Sequence, residues 1–173
     1  DIILAGVGGQ GILTIATIIG DAATHAGLNL KQAEVHGMSQ RGGSVVTYVR
    51  YGEKVYSPIV DKGQADFIVS FEMLEAARYT EYLKTDGQIV VNTQNIDPMP
   101  VITGAAEYPT NLQEKIQAAN IKIDALDCLT LAEQAGTSKA VNIVLMGRLS
   151  KYMDFSEETW LQAIEKLVKP QFL

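Results

Sequence analysis

The sequence predicts an α/β fold: a single domain with a mostly parallel central sheet flanked by helices and an inserted β-hairpin. Three observations carry this expectation. Short apolar runs at 2–5, 66–71, 88–92 and 121–125 alternate with segments whose apolar residues recur at helical spacing. Glycines and prolines punctuate the joins. The 173 residues, 47% of them hydrophobic and 20% charged, suffice for one core, and no linker, repeat or low-complexity tract divides them.

The run at 2–5 ends in glycines, the pattern of a strand buried on both faces. Ile12, Ile15, Ala16, Ile19, Ala22, Ala23 and Ala26 then recur at three- and four-residue steps, which predicts a helix closed by Gly27. The opposite face of that helix, with Leu13, Thr14, Thr17 and Ile18, is poor in charge, so Ile18 is expected to bury against another chain. A second strand is predicted at 30–35. Val45, Thr47, Val49 and Tyr51 alternate with Val46, Tyr48 and Arg50 as a third strand, and Gly52-Glu53 reads as a two-residue turn returning through Val55 and Tyr56.

A buried strand at 66–71, a helix at 72–83 and a strand at 88–92 continue the alternation. Pro98, Pro100 and Pro109 mark an irregular connection, and Thr110 with Gln113 suggests a capping box for a helix running to about 119. After a short strand at 121–125, helices are predicted at 126–134, 138–153 and 157–168. Gly136 separates the first two, Ser156 caps the last and Pro170 ends it.

Composition narrows the function. Fourteen basic and twenty acidic residues give a net charge of −6, which argues against general nucleic-acid binding, since that requires many phosphates to be neutralised. The first 60 residues hold four acids and four bases, so a site for one small anion is expected there. A single cysteine, Cys128, excludes an internal disulfide and an iron–sulfur cluster held by this chain alone. With only His25 and His36, a self-contained structural zinc site is not expected either. The uncharged stretch 2–20 has the length of a membrane span, but its central glycines would break a lipid-exposed helix, and no basic segment precedes it as in a signal peptide. No membrane association is expected, and cytoplasmic residence fits.

Gly6-Val7-Gly8-Gly9-Gln10-Gly11 fits G-x-G-x-x-G between a strand and a helix, where glycines let a phosphate approach the helix N-terminus. It is equally readable as a tight turn serving close strand–helix packing. Glu34 lies 23 residues past Gly11, a tolerable spacing for a ribose-binding acid, although the remainder does not resemble a dinucleotide-binding domain. Ser39, Gln40, Arg41, Gly42 and Gly43 gather a hydroxyl, an amide and a guanidinium beside two glycines, chemistry suited to a phosphate or carboxylate. The alternative is an arginine tethering its loop to Glu34 or Glu72. His36 is a candidate acid–base group, but a histidine beside a glycine more often orders a loop. Glu72, Glu75 and Arg78 share a helical face and read as solvated surface pairs. Asn142 reads as satisfying a backbone group, and Cys128 as a small buried hydrophobe.

Taken together, Gly6 to Gly11 and the stretch Glu34-Val35-His36-Gly37-Met38-Ser39-Gln40-Arg41-Gly42-Gly43-Ser44-Val45-Val46 resemble the gamma-type domains of the 2-oxoacid:ferredoxin oxidoreductases. Tyr56-Ser57-Pro58, Phe71-Glu72, Glu75-Ala76 with Arg78, Val91-Asn92-Thr93 and Asn142 to Gly147 extend the likeness over nearly the whole chain, 1–173, and within the family it resembles the beta subunits of the indolepyruvate branch. Ser39 stands where alanine is also usual. The resemblance implies a subunit of a thiamine-diphosphate enzyme of anaerobic aromatic amino-acid catabolism. Such an enzyme oxidatively decarboxylates aryl pyruvates to aryl-acetyl-CoA and passes electrons to ferredoxin. It implies no cofactor on this chain alone; thiamine diphosphate and iron–sulfur clusters lie on a large alpha subunit, and ferredoxin is met through the complex. It also implies that this chain helps enclose the active site and bind coenzyme A, with Gly6, Gly8, Gly9, Gln10, Gly11, Ser39, Gln40, Arg41 and Gly42 as the candidates. Two other readings remain at this point: a stand-alone NAD(P)-type Rossmann oxidoreductase domain, or a gamma subunit for another 2-oxoacid. A purely structural partner, whose glycines serve packing alone, is the third.

Overall fold

In the computed structural model, which describes residues 1–39 and 41–170, a six-stranded mixed sheet is sandwiched between two layers of helices. The strands are β1 (Ile2–Val7), β2 (Asn29–His36), β3 (Ser44–Gly52), β4 (Ala65–Ser70), β5 (Leu83–Asn92) and β6 (Lys122–Leu126). The helices are α1 (Ile12–His25), α2 (Met73–Arg78), α3 (Met99–Ile102), α4 (Leu112–Ala118), α5 (Cys128–Gln134), α6 (Val141–Ser150) and α7 (Glu157–Leu167). Across the sheet the order is β2-β3-β1-β4-β5-β6. β1, β4, β5 and β6 run parallel, and β3 is antiparallel to both of its neighbours.

The inserted hairpin is therefore β2 and β3, joined by the 37–43 loop, and not a return of β3 through Val55 and Tyr56. The reason is edge availability. Both hydrogen-bonding edges of β3 are taken, by β1 and by β2, so a strand after Gly52 has nothing to pair with, and Tyr56 stands exposed. The same interposition means that β1 and β2, although joined through α1, are not neighbours in the sheet, because β3 separates them.

Each sheet face has its own core. On one, Ile15, Ile18 and Ile19 of α1 pack with Leu4, Val49 and Val69 of the sheet and with Leu145, Leu149 and Trp160 of α6 and α7. On the other, Met73 and Ala76 of α2 and Ile116 of α4 cover Ile3, Val46, Ile68 and Ile89. Ile18 is fully buried in this chain's own core, so the expected contact of that side chain with another chain is wrong. Absence of charge on two faces of α1 reflects burial between the sheet and α6–α7; Leu13, Thr14 and Thr17, with Thr24 and His25 in the last turn, are the residues of α1 left exposed.

Several boundaries moved, among them that of the helix expected over 138–153, which is a 3₁₀ turn at Ser138–Ala140 followed by α6 at Val141–Ser150. The helix expected over 72–83 ends at Arg78, with a short 3₁₀ turn at Thr80–Tyr82 before β5. The capping box at Thr110 does not form; Asn111 caps α4 in the left-handed conformation at φ 56°, one of the few residue types that adopts it readily. The helix expected from 126 starts at Cys128, because Asp127 caps it by accepting the Thr130 N–H at 3.0 Å. Ser156 caps α7 as expected, accepting from Thr159 N at 3.2 Å.

Candidate functional site

The crossovers that follow β1 and β4 leave toward opposite faces of the sheet, α1 to one and α2 to the other. A crevice at the carboxyl ends of such a strand pair is the general ligand position of open α/β sheets. Both glycine-rich segments come to it. Gly8 N–H donates to Gly43 O at 2.9 Å, and Gly42 N–H donates to Gly8 O at 3.2 Å, so the β1–α1 loop and the loop before β3 are locked together by a reciprocal pair. Glycine is required on both sides of the site. A Cβ on Gly43 would lie 2.6 Å from the Ser39 carbonyl oxygen, and one on Gly11, at φ 79°, would lie 2.5 Å from Asn142 Nδ2.

The named side chains divide. Gln10 faces inward: its Oε1 accepts the Val7 N–H at 2.8 Å and its Nε2 donates to Phe71 O at 3.0 Å, tying β1 to the end of β4. Phe71 O also accepts from Asn92 Nδ2 at 3.3 Å, and Asn92 Oδ1 accepts from Cys128 N at 3.1 Å. A belt of amides thus runs along the carboxyl ends of β1, β4 and β5 to the start of α5. Ser39 Oγ donates to Arg41 O at 2.9 Å and shapes its own loop. Arg41 is exposed, and among the described residues its side chain has no hydrogen-bond or ion-pair partner. Gln40 lies outside the described residues.

Neither tether weighed for Arg41 occurs. Glu34 faces His36, Oε1 to Nε2 at 4.0 Å, while His36 Nδ1 donates to Gly37 O at 2.9 Å and so orders the loop. Glu72 is buried and engaged elsewhere. Two cavities flank the glycine loop. One of about 240 Å³ lies between Gly8, Gly9, Leu13, Glu34 and His36. The other, of about 350 Å³, lies between Gln10, Gly11, Gln94, Lys139 and Asn142. Gly9 and Gly11 line both. Asn142 donates to Gly11 O at 3.5 Å and accepts from Ile143 N at 2.9 Å, the backbone role expected of it.

Reading Glu72 and Glu75 as solvated is wrong: they are 1% and 4% exposed. Glu72 caps α2 by accepting Glu75 N at 2.9 Å, and it also accepts Ile96 N at 3.1 Å and the Tyr108 hydroxyl. Glu75 accepts Ser44 Oγ at 2.5 Å and faces Arg78 Nε at 3.1 Å. Burial raises the Glu75 carboxyl pKa, with the Ser44 hydrogen bond and the Arg78 charge opposing. The contacts that bring Tyr108 and Asn92 to the site, to Glu72 and to Phe71 and Cys128, span 21 to 36 residues and leave no mark in a local window. Burial pushes the Cys128 thiol up to about 12, the state of an inert packed cysteine. Among the described residues no cluster of His, Cys, Asp or Glu is suited to a metal ion, and no helix is long and apolar enough to cross a membrane.

The architecture is that of an oxoacid:ferredoxin oxidoreductase gamma subunit. The crystal structure of the keto/oxoacid ferredoxin oxidoreductase gamma subunit from Geobacter sulfurreducens superposes with a TM-score of 0.71 at 22% identity, covering 99% of this chain and 88% of that one. The pyruvate ferredoxin/flavodoxin oxidoreductase family profile matches residues 1–172, and the chain belongs to that family. It is 46% identical to indolepyruvate oxidoreductase subunit IorB of Thermococcus kodakarensis, over 99% of this chain and 87% of that protein. The fold recurs inside a longer polypeptide, 2-oxoglutarate:ferredoxin oxidoreductase from Magnetococcus marinus, solved with 2-oxoglutarate, coenzyme A and succinyl-CoA bound. There the TM-score is 0.68 at 19% identity, covering 95% of this chain and 26% of that one.

Proposed function

We propose that this chain is the beta, gamma-type subunit of a cytoplasmic indolepyruvate:ferredoxin oxidoreductase. In the complex, aryl pyruvates are oxidatively decarboxylated to aryl-acetyl-CoA and the electrons pass to ferredoxin. Thiamine diphosphate and the iron–sulfur clusters belong to the large alpha subunit; the donor set of this chain does not fit a cluster, since its one cysteine is buried with a thiol held protonated. The chain helps enclose the active site and bind coenzyme A. Similarity to the IorB subunit supports the substrate class, and the coenzyme A in the Magnetococcus marinus structure supports the ligand.

The observation that carries the site is the clasp of Gly8 with Gly42 and Gly43, beside which Arg41 stands exposed without a partner among the described residues. Its guanidinium offers a planar fork to a phosphate of coenzyme A or to the 2-oxoacid carboxylate. The amides of Gly8 and Gly42 are already paired, so the backbone there shapes the rim rather than donating to the anion.

The test is kinetic, on the chain assembled with its large subunit. A hydrogen bond to a charged group is worth about 1.5–3 kcal/mol, so Arg41→Ala lowers kcat/KM for one of the two anions by roughly 10- to 100-fold. Arg41→Lys recovers part of it, since an ammonium keeps the charge but not the fork. Varying coenzyme A and the 2-oxoacid separately shows which is held, and comparing aryl with aliphatic 2-oxoacids tests the substrate class. Unchanged kinetics for both anions with assembly intact would remove Arg41 from the site.

A further inference from the structure

Two buried carboxylates lie behind the meeting point of the loops, and the proposed function leaves both unused. Glu75 reaches from α2 to the first residue of β3, Ser44, whose register partner is Val7 at the end of β1. The two residues before Ser44 are Gly43 and Gly42, the pair that clasps Gly8. A carboxylate taken from water at this position is costly unless its oxygens are occupied, and both are: Oε2 by the Ser44 hydroxyl and Oε1 by Arg78. An ionised acceptor makes the hydroxyl bond charge-assisted, stronger than a neutral one. Its neighbour Glu72 makes the equivalent attachment to the 93–109 connection through Ile96 N and Tyr108.

We propose that Glu75 is a positioning residue: through the Ser44 hydroxyl it holds the start of β3 so that Gly42 and Gly43 clasp Gly8, and thereby sets the backbone from which Arg41 projects. Its kinetic consequence rests on Arg41 being the anion contact proposed above; its structural consequence does not. The two are tested on the assembled complex by hydrogen exchange and by kinetics. In Glu75→Ala and in Ser44→Ala the amides of Gly8 and Gly42 exchange about 10-fold faster or more, while those of Ile68 and Val90 in the central strands are unchanged. The two substitutions together add little beyond either alone, because they cut the same link.

In the same complexes Glu75→Ala raises KM about 10-fold for the anion that Arg41 holds and changes kcat less than about twofold. Glu75→Gln, which keeps an acceptor for Ser44, recovers most of the loss, and in an Arg41→Ala background Glu75→Ala adds nothing. Wild-type exchange at Gly8 and Gly42 would overturn the proposal. So would faster exchange throughout the sheet with a fall in kcat, the result of general destabilisation. If Arg41→Ala leaves both KM values unchanged, the reading of Arg41 fails while the exchange result still decides what Glu75 holds.

Discussion

Gln10 and Arg41 stand in the two segments that meet at Gly8, and they face opposite ways. Both are polar side chains set among glycines, and in the sequence they look alike. Gln10 closes two hydrogen bonds to the backbone of β1 and β4, whereas Arg41 closes none among the described residues. The glycine loop is thus built into the sheet, and the loop before β3 is presented by it. What this teaches is that a G-x-G-x-x-G pattern at a strand–helix junction reports a close backbone approach, and the approaching group can be the protein's own loop. The outer faces of the site then have to be judged by which polar groups stay unoccupied.

The contrast between built-in and presented residues is broken most severely within α1. Ile18→Asp puts an unpaired charge into a fully closed core, and a loss above about 4 kcal/mol is expected, a large share of the stability of an ordinary domain. Thermal or urea unfolding of the chain measures it. Leu13 on the same helix is 57% exposed, so Leu13→Asp should stay within about 0.5 kcal/mol of wild type. Comparable losses at the two positions would mean that α1 does not pack as described.

Gln10→Ala leaves the Val7 N–H without its acceptor and Phe71 O with only the longer Asn92 bond, for an expected loss of about 2–3 kcal/mol in denaturant unfolding. Arg41→Ala should leave the same unfolding curve within about 0.5 kcal/mol of wild type while its effect appears in kinetics. A Gln10 variant of unchanged stability but lowered turnover would move that side chain to the presented class.

A smaller effect is expected at Asp124 on β6, a built-in carboxylate. Burial would raise its pKa, but hydrogen bonds from Arg148 and Tyr152 and the Arg148 charge outweigh this and hold it below the usual value. A depressed pKa in the folded chain stabilises above the unfolded value and loses that contribution as the pH falls through the folded one. Asp124→Asn should therefore cost about 1 kcal/mol near neutrality, the partly exposed arginine limiting the gain, and the gap to wild type should close as the pH drops below the carboxylate range. A gap that widens on acidification would mean that Arg148 does not hold the charged form.

The alternation of strands and helices, the glycine joins and the Ser156 cap are legible in the sequence, because each is written within one local window: a period of two or 3.6, a residue with no Cβ, an oxygen before a helix. Local chemistry singled out the loop of Gly8 and the loop of Arg41 and Gly42 separately, and only the family resemblance set them to one task; neither said that Gly8 and Gly42 bond each other. The order β2-β3-β1, the closure of α1 on both sides and the burial of Glu72 and Glu75 are decided elsewhere. They depend on which strand edges remain unpaired once β1 has taken β3 and β4, and on partners such as Ser44 and Tyr108, 31 and 36 residues from their carboxylates. A glutamate at helical spacing carries no local mark of whether water or a serine from another strand will occupy its oxygens; only the tertiary fold brings that serine within 2.5 Å.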